Sequence, residues 1–240
     1  MKKTAAEKKH LSFYDHLTEL RQRLIRCIIF VALIFLCMLP FSDQIYTLFS
    51  SPMSQALNES SMIAIGVTSP FLAPIKLCLY LALIFSLPFC FYQAWVYASP
   101  GLYQSEKNLA KPIFIMVNVL FFSGIIFSYL VVAPVITKFF VSSAPSNIKI
   151  MTDINQYLSF MMKLIFGFGF AFQVPIITNL LIRTGIKSKS QITSMRPYLI
   201  ILFLILAMLL TPPDIFSQLF LAVPMWLLFE LGLALSRDKD

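Results

Sequence analysis

Six apolar runs separated by short polar stretches organise this chain: 25–42, 71–97, 112–137, 157–182, 197–211 and 216–234. A membrane-spanning helix needs about 20 apolar residues, and the first four runs qualify. The fifth and sixth are short. At ~1.5 Å per residue the fifth reaches only ~22 Å, against a hydrocarbon core of ~30 Å. Between them lies Thr211-Pro212-Pro213-Asp214, a turn that stops one helix and starts the next. The pattern predicts an all-α polytopic membrane protein with six transmembrane helices, the short fifth and sixth forming a hairpin. Such a hairpin thins the bilayer locally or has its mismatch relieved by neighbours. One integral membrane domain over 1–240 is expected, with an amphipathic N-terminal segment at 1–24, spans within 25–234 and a tail at 235–240.

Ahead of the first run, Phe13, Leu17, Leu20 and Leu24 recur at helical spacing, with Asp15, Glu19, Arg23 and Arg26 on the other side. This predicts a short amphipathic helix resting at the membrane surface and feeding the first span. It places Glu19 at the mouth of a bilayer-embedded protein. The stretches 43–70 and 138–156 are expected to be outer loops, because they carry Pro52, Asn58, Gly66, Pro70, Pro145 and Asn147. Pro74, Pro88, Pro134, Pro175 and Pro224 fall in or near spans, where each kinks or caps a helix.

Charge settles orientation. Fifteen of the nineteen lysines and arginines gather on the side of the chain termini; the other side has Lys76, Lys138, Lys149 and Lys163. The positive-inside rule puts both termini in the cytoplasm, in agreement with an even number of spans. The net charge of +8 is therefore a topology signal, and no nucleic-acid partner is expected. Charged residues make up 12% of the chain, half the usual share of a soluble domain at ~25%. The N-terminus lacks the form of a cleaved signal peptide, which predicts direct insertion into a bacterial inner membrane.

Catalytic signatures are missing. There is no G-x-x-x-x-G-K-[ST], G-x-S-x-G or H-E-x-x-H pattern. Cys27, Cys37, Cys78 and Cys90 form no C-x-x-C pair, and His10 and His16 lie apart from them. No cofactor, metal or enzymatic activity is predicted. The remaining polar residues each carry two readings. Glu19 either pairs with Arg23 at i,i+4 on a surface helix, or receives an incoming cation at the membrane face. Glu106, in Pro100-Gly101-Leu102-Tyr103-Gln104-Ser105-Glu106-Lys107, is either a solvated first-turn acid or a second acceptor. Two carboxylates in one partly dehydrated patch favour a dication, and arginine suits them best because its planar fork pairs bidentately. Gln173 lies mid-span, with Asn118 and Asn179 less central; they serve as interhelical hydrogen-bond glue or mark function. Asp214 and Gln218 flank the outer hairpin turn, Asp214 as a candidate N-cap. Glu230 lies near the inner end of the last span and is expected to snorkel.

The chain resembles the TatC family, the large receptor subunit of the twin-arginine protein translocase, over nearly its whole length. His16-Leu17-Thr18-Glu19-Leu20-Arg21-Gln22-Arg23-Leu24 is similar to that family's HL-x-ELR-x-RL signature. Ser69-Pro70-Phe71 with Pro74-Ile75-Lys76 resembles its outer-loop motif, which in this chain also takes in Pro52. Tyr92-Gln93-Ala94-Trp95 through Pro100-Gly101-Leu102-Tyr103 and Glu106 resembles its first inner loop, and Phe172 to Pro175 its fourth-helix F-x-VP. Arg196-Pro197-Tyr198 and Leu210 to Asp214 with Gln218 complete the order. The resemblance implies a receptor for twin-arginine signal peptides of folded cargo, with transport driven by the proton-motive force. It implies Glu19 and Glu106 as acceptors, supported by Arg21, Arg23 and Tyr97. It implies TatA-type and TatB-type single-span partners at about 197–211, further copies of the chain, and surrounding membrane lipid. Where many relatives have an acid in the fourth helix, this chain has Gln173, which cannot hold a charge. The competing reading is a secondary transporter of a small solute, with Gln173, Asn118 and Lys163 lining a midplane site.

Overall fold

The structure is a computed structural model and describes residues 13–57, 62–98, 104–145, 150–211 and 214–236. Helices α1 (Phe13–Met38), α2 (Ser42–Ala56), α3 (Ser69–Ala98), α4 (Gln104–Phe127) and α5 (Ala133–Ser142) make up the first half. The second half holds α6 (Ile154–Ala171), α7 (Val174–Arg183), α8 (Lys189–Ser194), α9 (Arg196–Leu210) and α10 (Ile215–Leu235). Six spans result: α1, α3, α4 with α5, α6 with α7, α9 and α10. Five of the helical stretches among the described residues are long and apolar enough to cross a bilayer; Arg196–Leu210 is the short one. Its fifteen residues give ~22 Å. The sixth span has 21 residues, the shortest of the five.

Two expectations at the N-terminal end need correcting. The amphipathic segment is no separate surface helix; it is the first four turns of α1, continuous into the span. Leu17, Leu20 and Leu24 are exposed on the outside of the protein. The stretch 43–70 is also not all loop, because α2 occupies Ser42–Ala56 with Pro52 buried inside it. A proline in a helix removes the N–H that the carbonyl four residues earlier needs. That carbonyl is Leu48 O, and it accepts the Tyr129 hydroxyl at 2.6 Å. Tyr157, 4% exposed, donates to the neighbouring Phe49 O at 3.1 Å. Two tyrosines from other spans thus hold this proline-containing helix as an outer cap.

The same accounting explains the interruptions of the third and fourth spans. Before Pro134 the helix widens to a π-turn over Ser128–Val132, in which Ala133 N–H reaches back to Ser128 O. At Phe172–Gln173 the fourth span breaks before Pro175, and Gln173 N–H bonds Phe170 O at 2.9 Å instead of Gly169 O.

α6 is the central element, packed against α3, α4, α9 and α10. Met161, Leu164, Ile165 and Phe168 on it are at most 1% exposed. α1 lies at one end of the array against α3, and the α9–α10 hairpin lies at the other against α6 and α7. The outer loop crosses to α6 through a short bridge: Ile63 N–H bonds Thr152 O at 2.9 Å and Ile154 N–H bonds Ile63 O at 3.0 Å. Asp153 N-caps α6, accepting from Gln156 N–H, and also takes Ile65 N–H at 3.3 Å.

α10 meets α7 at Gly232, where an added Cβ would lie 2.6 Å from the Cα of Pro175. Gly232→Leu is therefore expected to cost about 1–3 kcal/mol by overpacking. Thermal denaturation in detergent should show a lowered midpoint, with the exposed Leu231→Val unchanged. An unchanged midpoint for Gly232→Leu would contradict this packing.

Candidate functional site

Successive side chains of α1 meet successive side chains of α3 at their cytoplasmic ends. His16 stacks on Tyr97 with ring centroids 4.4 Å apart and planes 16° from parallel. Further in, Arg23 Nη1 donates to the Gln93 side-chain oxygen at 3.1 Å, and Phe30 lies against Phe89. The two helices are antiparallel, so the contacts step down one as they step up the other. Gln93 is 8% exposed and fixes one end of the guanidinium. The other end goes to Glu19: Arg23 Nε donates to Oε1 at 2.9 Å, and Nη2 donates to the same oxygen. Both donors thus use one carboxylate oxygen, and the ion pair leaves Oε2 to other partners.

This arrangement has a definite electrostatic character. Glu19 and Arg23 neutralise each other, with 28% and 16% of their side-chain surfaces exposed. A screened i,i+4 pair is worth about 0.3–0.5 kcal/mol; the added bond to buried Gln93 holds Arg23 in place. Arg21 is exposed beside it. Glu106 belongs to the first turn of α4, and its side chain lies outside the described residues. His16 and Gln93 were given no role from sequence; Gln93 was visible there within the Tyr92–Trp95 motif.

The other predicted polar residues fall at three places. Gln173 sits at the α6–α7 break, where its Nε2 donates to Val117 O of α4 at 3.1 Å and to Gly169 O at 3.4 Å. Both partners are carbonyls, which fixes the amide orientation and leaves Oε1 buried with no partner among the described residues. At the outer hairpin turn, Asp214 N-caps α10 by accepting Ser217 N–H at 2.7 Å, as expected. Gln218 ties α10 to α9 through Leu204 O at 3.1 Å. Pro212 and Pro213 of that turn lie outside the described residues. In the outer cap, Ser69 is buried and accepts from Asn155 Nδ2, while Pro70 is exposed and Phe71 is 72% exposed. Pro52 belongs to α2 rather than to a turn.

Glu230 does not snorkel alone. Arg196 Nη2, at the start of α9, donates to its Oε2 at 2.8 Å and closes the inner end of the hairpin. Asn179 bridges α7 to Leu235 O at 3.4 Å, whereas Asn118 bonds Phe114 O of its own helix. Of the three residues of a transporter-like midplane site, Gln173 and Asn118 each bond backbone carbonyls, and no hydrogen bond joins the three among the described residues. Lys163 instead lines a cavity of about 470 Å³ with Asn155, Gln156, Ser159, Phe160, Leu210 and Thr211.

These features define a polytopic helical membrane protein whose titratable pairs sit at its cytoplasmic surface. Residues 15–224 match the family described as Sec-independent protein translocase protein (TatC). The chain is 49% identical to the Sec-independent protein translocase protein TatC of Azotobacter chroococcum mcd 1, over 90% of this chain and 86% of that protein. It is 45% identical to the protein of the same name from Escherichia coli K12, over 92% of this chain and 86% of that one. A crystal structure of the twin arginine translocase receptor TatC is similar with a TM-score of 0.77 and 29% identity, covering 91% of this chain and 96% of that one. The chain belongs to the TatC family. It is a multi-pass inner-membrane component of a Sec-independent protein translocase.

The Gln173 bridge generates a stability prediction. Gln173→Leu removes the α4–α7 tie and should cost about 0.5–2 kcal/mol, the range for interhelical hydrogen bonds in membranes. Denaturant titration in mixed micelles checks this. A wild-type midpoint would mean that the amide contributes no stability.

Proposed function

We propose that this chain is the receptor for twin-arginine signal peptides of folded cargo, and that Glu19 and Glu106 accept the arginine pair. The observation that carries the reading is the Glu19–Arg23 pair itself. A carboxylate already held by a guanidinium, through one oxygen and at the cytoplasmic end of α1, is a site shaped for arginine. An arriving arginine takes Oε2, or exchanges with Arg23, which stays anchored on Gln93. The exchange replaces one charge-assisted hydrogen-bond set by another of the same kind, so the energetic cost of opening is small. Lysine lacks the planar fork and fits the exchange less well. Arg21 supports the site, and Tyr97 orders it through His16.

The same reading assigns the rest of the chain, acting as one membrane domain. TatA-type and TatB-type single-span subunits dock along α9, whose Ile201, Ile205 and Leu209 are 55%, 48% and 63% exposed. Further copies of the chain complete the assembly, and the proton-motive force drives transport. The protein works as a transport component rather than as an enzyme.

The test is binding of a synthetic twin-arginine signal peptide to the purified protein. Glu19→Gln and Glu106→Gln should each weaken binding about tenfold or more, the loss expected for a charge-assisted bond. A Lys-Lys peptide should bind the wild type more weakly than the Arg-Arg peptide. Unchanged binding by both variants would remove the acceptor assignment, and equal affinity for the two peptides would remove the receptor reading.

A further inference from the structure

Lys163 is a cation ten residues along α6 from its Asp153 cap, at a depth where charge is expensive. It is exposed, and among the described residues no carboxylate lies within ion-pair distance of it. Gln156 and Ser159 share its face of the helix at i−7 and i−4. Their side chains make no hydrogen bond among the described residues, so the cavity presents an ammonium, an amide and a hydroxyl, all able to donate. The opposite wall is the outer end of α9, Leu210 and Thr211.

The short fifth span explains why a lysine is tolerable there. Leu210 packs against Gly167, where an added Cβ would lie 2.5 Å from its Cδ1. The outer end of α9 therefore stands level with residues 163–167 of α6. α6 continues for about 20 Å of helix beyond Gly167 to its N-terminus. Asp214, the α10 cap, keeps one buried carboxylate oxygen without a partner among the described residues and is costly in hydrocarbon, so the polar boundary on this side follows the end of α9. Lys163 lies on that boundary, and its donors open toward the outer leaflet. The anion available at such a boundary is the phosphate of a phospholipid.

We propose that Lys163, with Gln156 and Ser159, binds the headgroup phosphate of one outer-leaflet phospholipid in the cavity between α6 and the end of α9. Its acyl chains lie along the exposed apolar surface of α9. The bound lipid supplies the counter-charge that the described residues do not and fills the space left by the short helix.

Native mass spectrometry of the purified full-length chain tests this, with phosphatidylglycerol, diacylglycerol or inorganic phosphate added separately. Wild type should retain one phosphatidylglycerol that Lys163→Gln holds about tenfold more weakly, the loss of one charge-assisted contact. Lys163→Arg should keep it, diacylglycerol should not be retained, and millimolar phosphate should not displace it. Equal retention by wild type and Lys163→Gln would overturn the proposal and favour a partner's acidic side chain. Equal retention of diacylglycerol would show an apolar groove only. Displacement by inorganic phosphate would show a free-anion site. Should Lys163→Gln fail to purify, the three ligands compared on wild type still decide the matter.

Discussion

A bilayer offers no water to a backbone carbonyl that has lost its helical partner, and this fold is organised around meeting that demand from within. Pro52 releases Leu48 O, and Tyr129 answers it from the third span. The break before Pro175 releases Gly169 O, and the side chain of Gln173 answers it while reaching across to Val117 O. Pro134 is accommodated by a π-turn. The repairs at Pro52 and at Gln173 each tie two elements together, while the π-turn before Pro134 satisfies its own span. The outer cap and the α4–α7 contact follow from these repairs as much as from apolar packing.

That tightly packed centre contrasts with the two ends of the array, where the ion pairs lie. α1 packs along α3 through a seam of side chains, and its cytoplasmic turns carry a carboxylate already engaged by arginine. The α9–α10 hairpin is closed at its inner end by Arg196 with Glu230 and tied at mid-α9 by Gln218 with Leu204 O. At fifteen residues α9 is shorter than the hydrocarbon core, a mismatch that local thinning or neighbouring helices would relieve. The proposed recognition site at one end and the short span at the other are thus carried on a common scaffold.

The spans and their orientation were legible because hydropathy and lysine–arginine placement act residue by residue and survive any packing. The Asp214 cap was legible for the same reason, being a local arrangement. α2 was not, because Pro52 reads as a breaker until Tyr129 of the third span is known to satisfy the freed Leu48 carbonyl from 81 positions away. The amphipathic segment read as a surface helix because periodicity shows a stripe and not what lies beside it; α3 supplies Gln93 and Tyr97 to the opposite side. Glu230 and Arg196 are 34 residues apart and meet only once the hairpin closes. In the candidate site the sequence offered Glu19 and Arg23 as both a local pair and a receptor. The geometry shows the local pair, held through a single carboxylate oxygen, and the receptor role is the proposal built on it.

The central claim is that an incoming arginine pair meets the chain at the cytoplasmic end of α1. Site-specific photocrosslinking measures this most directly, with a photoreactive residue at Leu20, exposed beside Glu19, or at Ser159 in the outer cavity. A radiolabelled twin-arginine signal peptide should crosslink from position 20 within a residue or two of its arginine pair, and not from position 159. Crosslinking of the arginine pair from position 159 with none from position 20 would contradict the account.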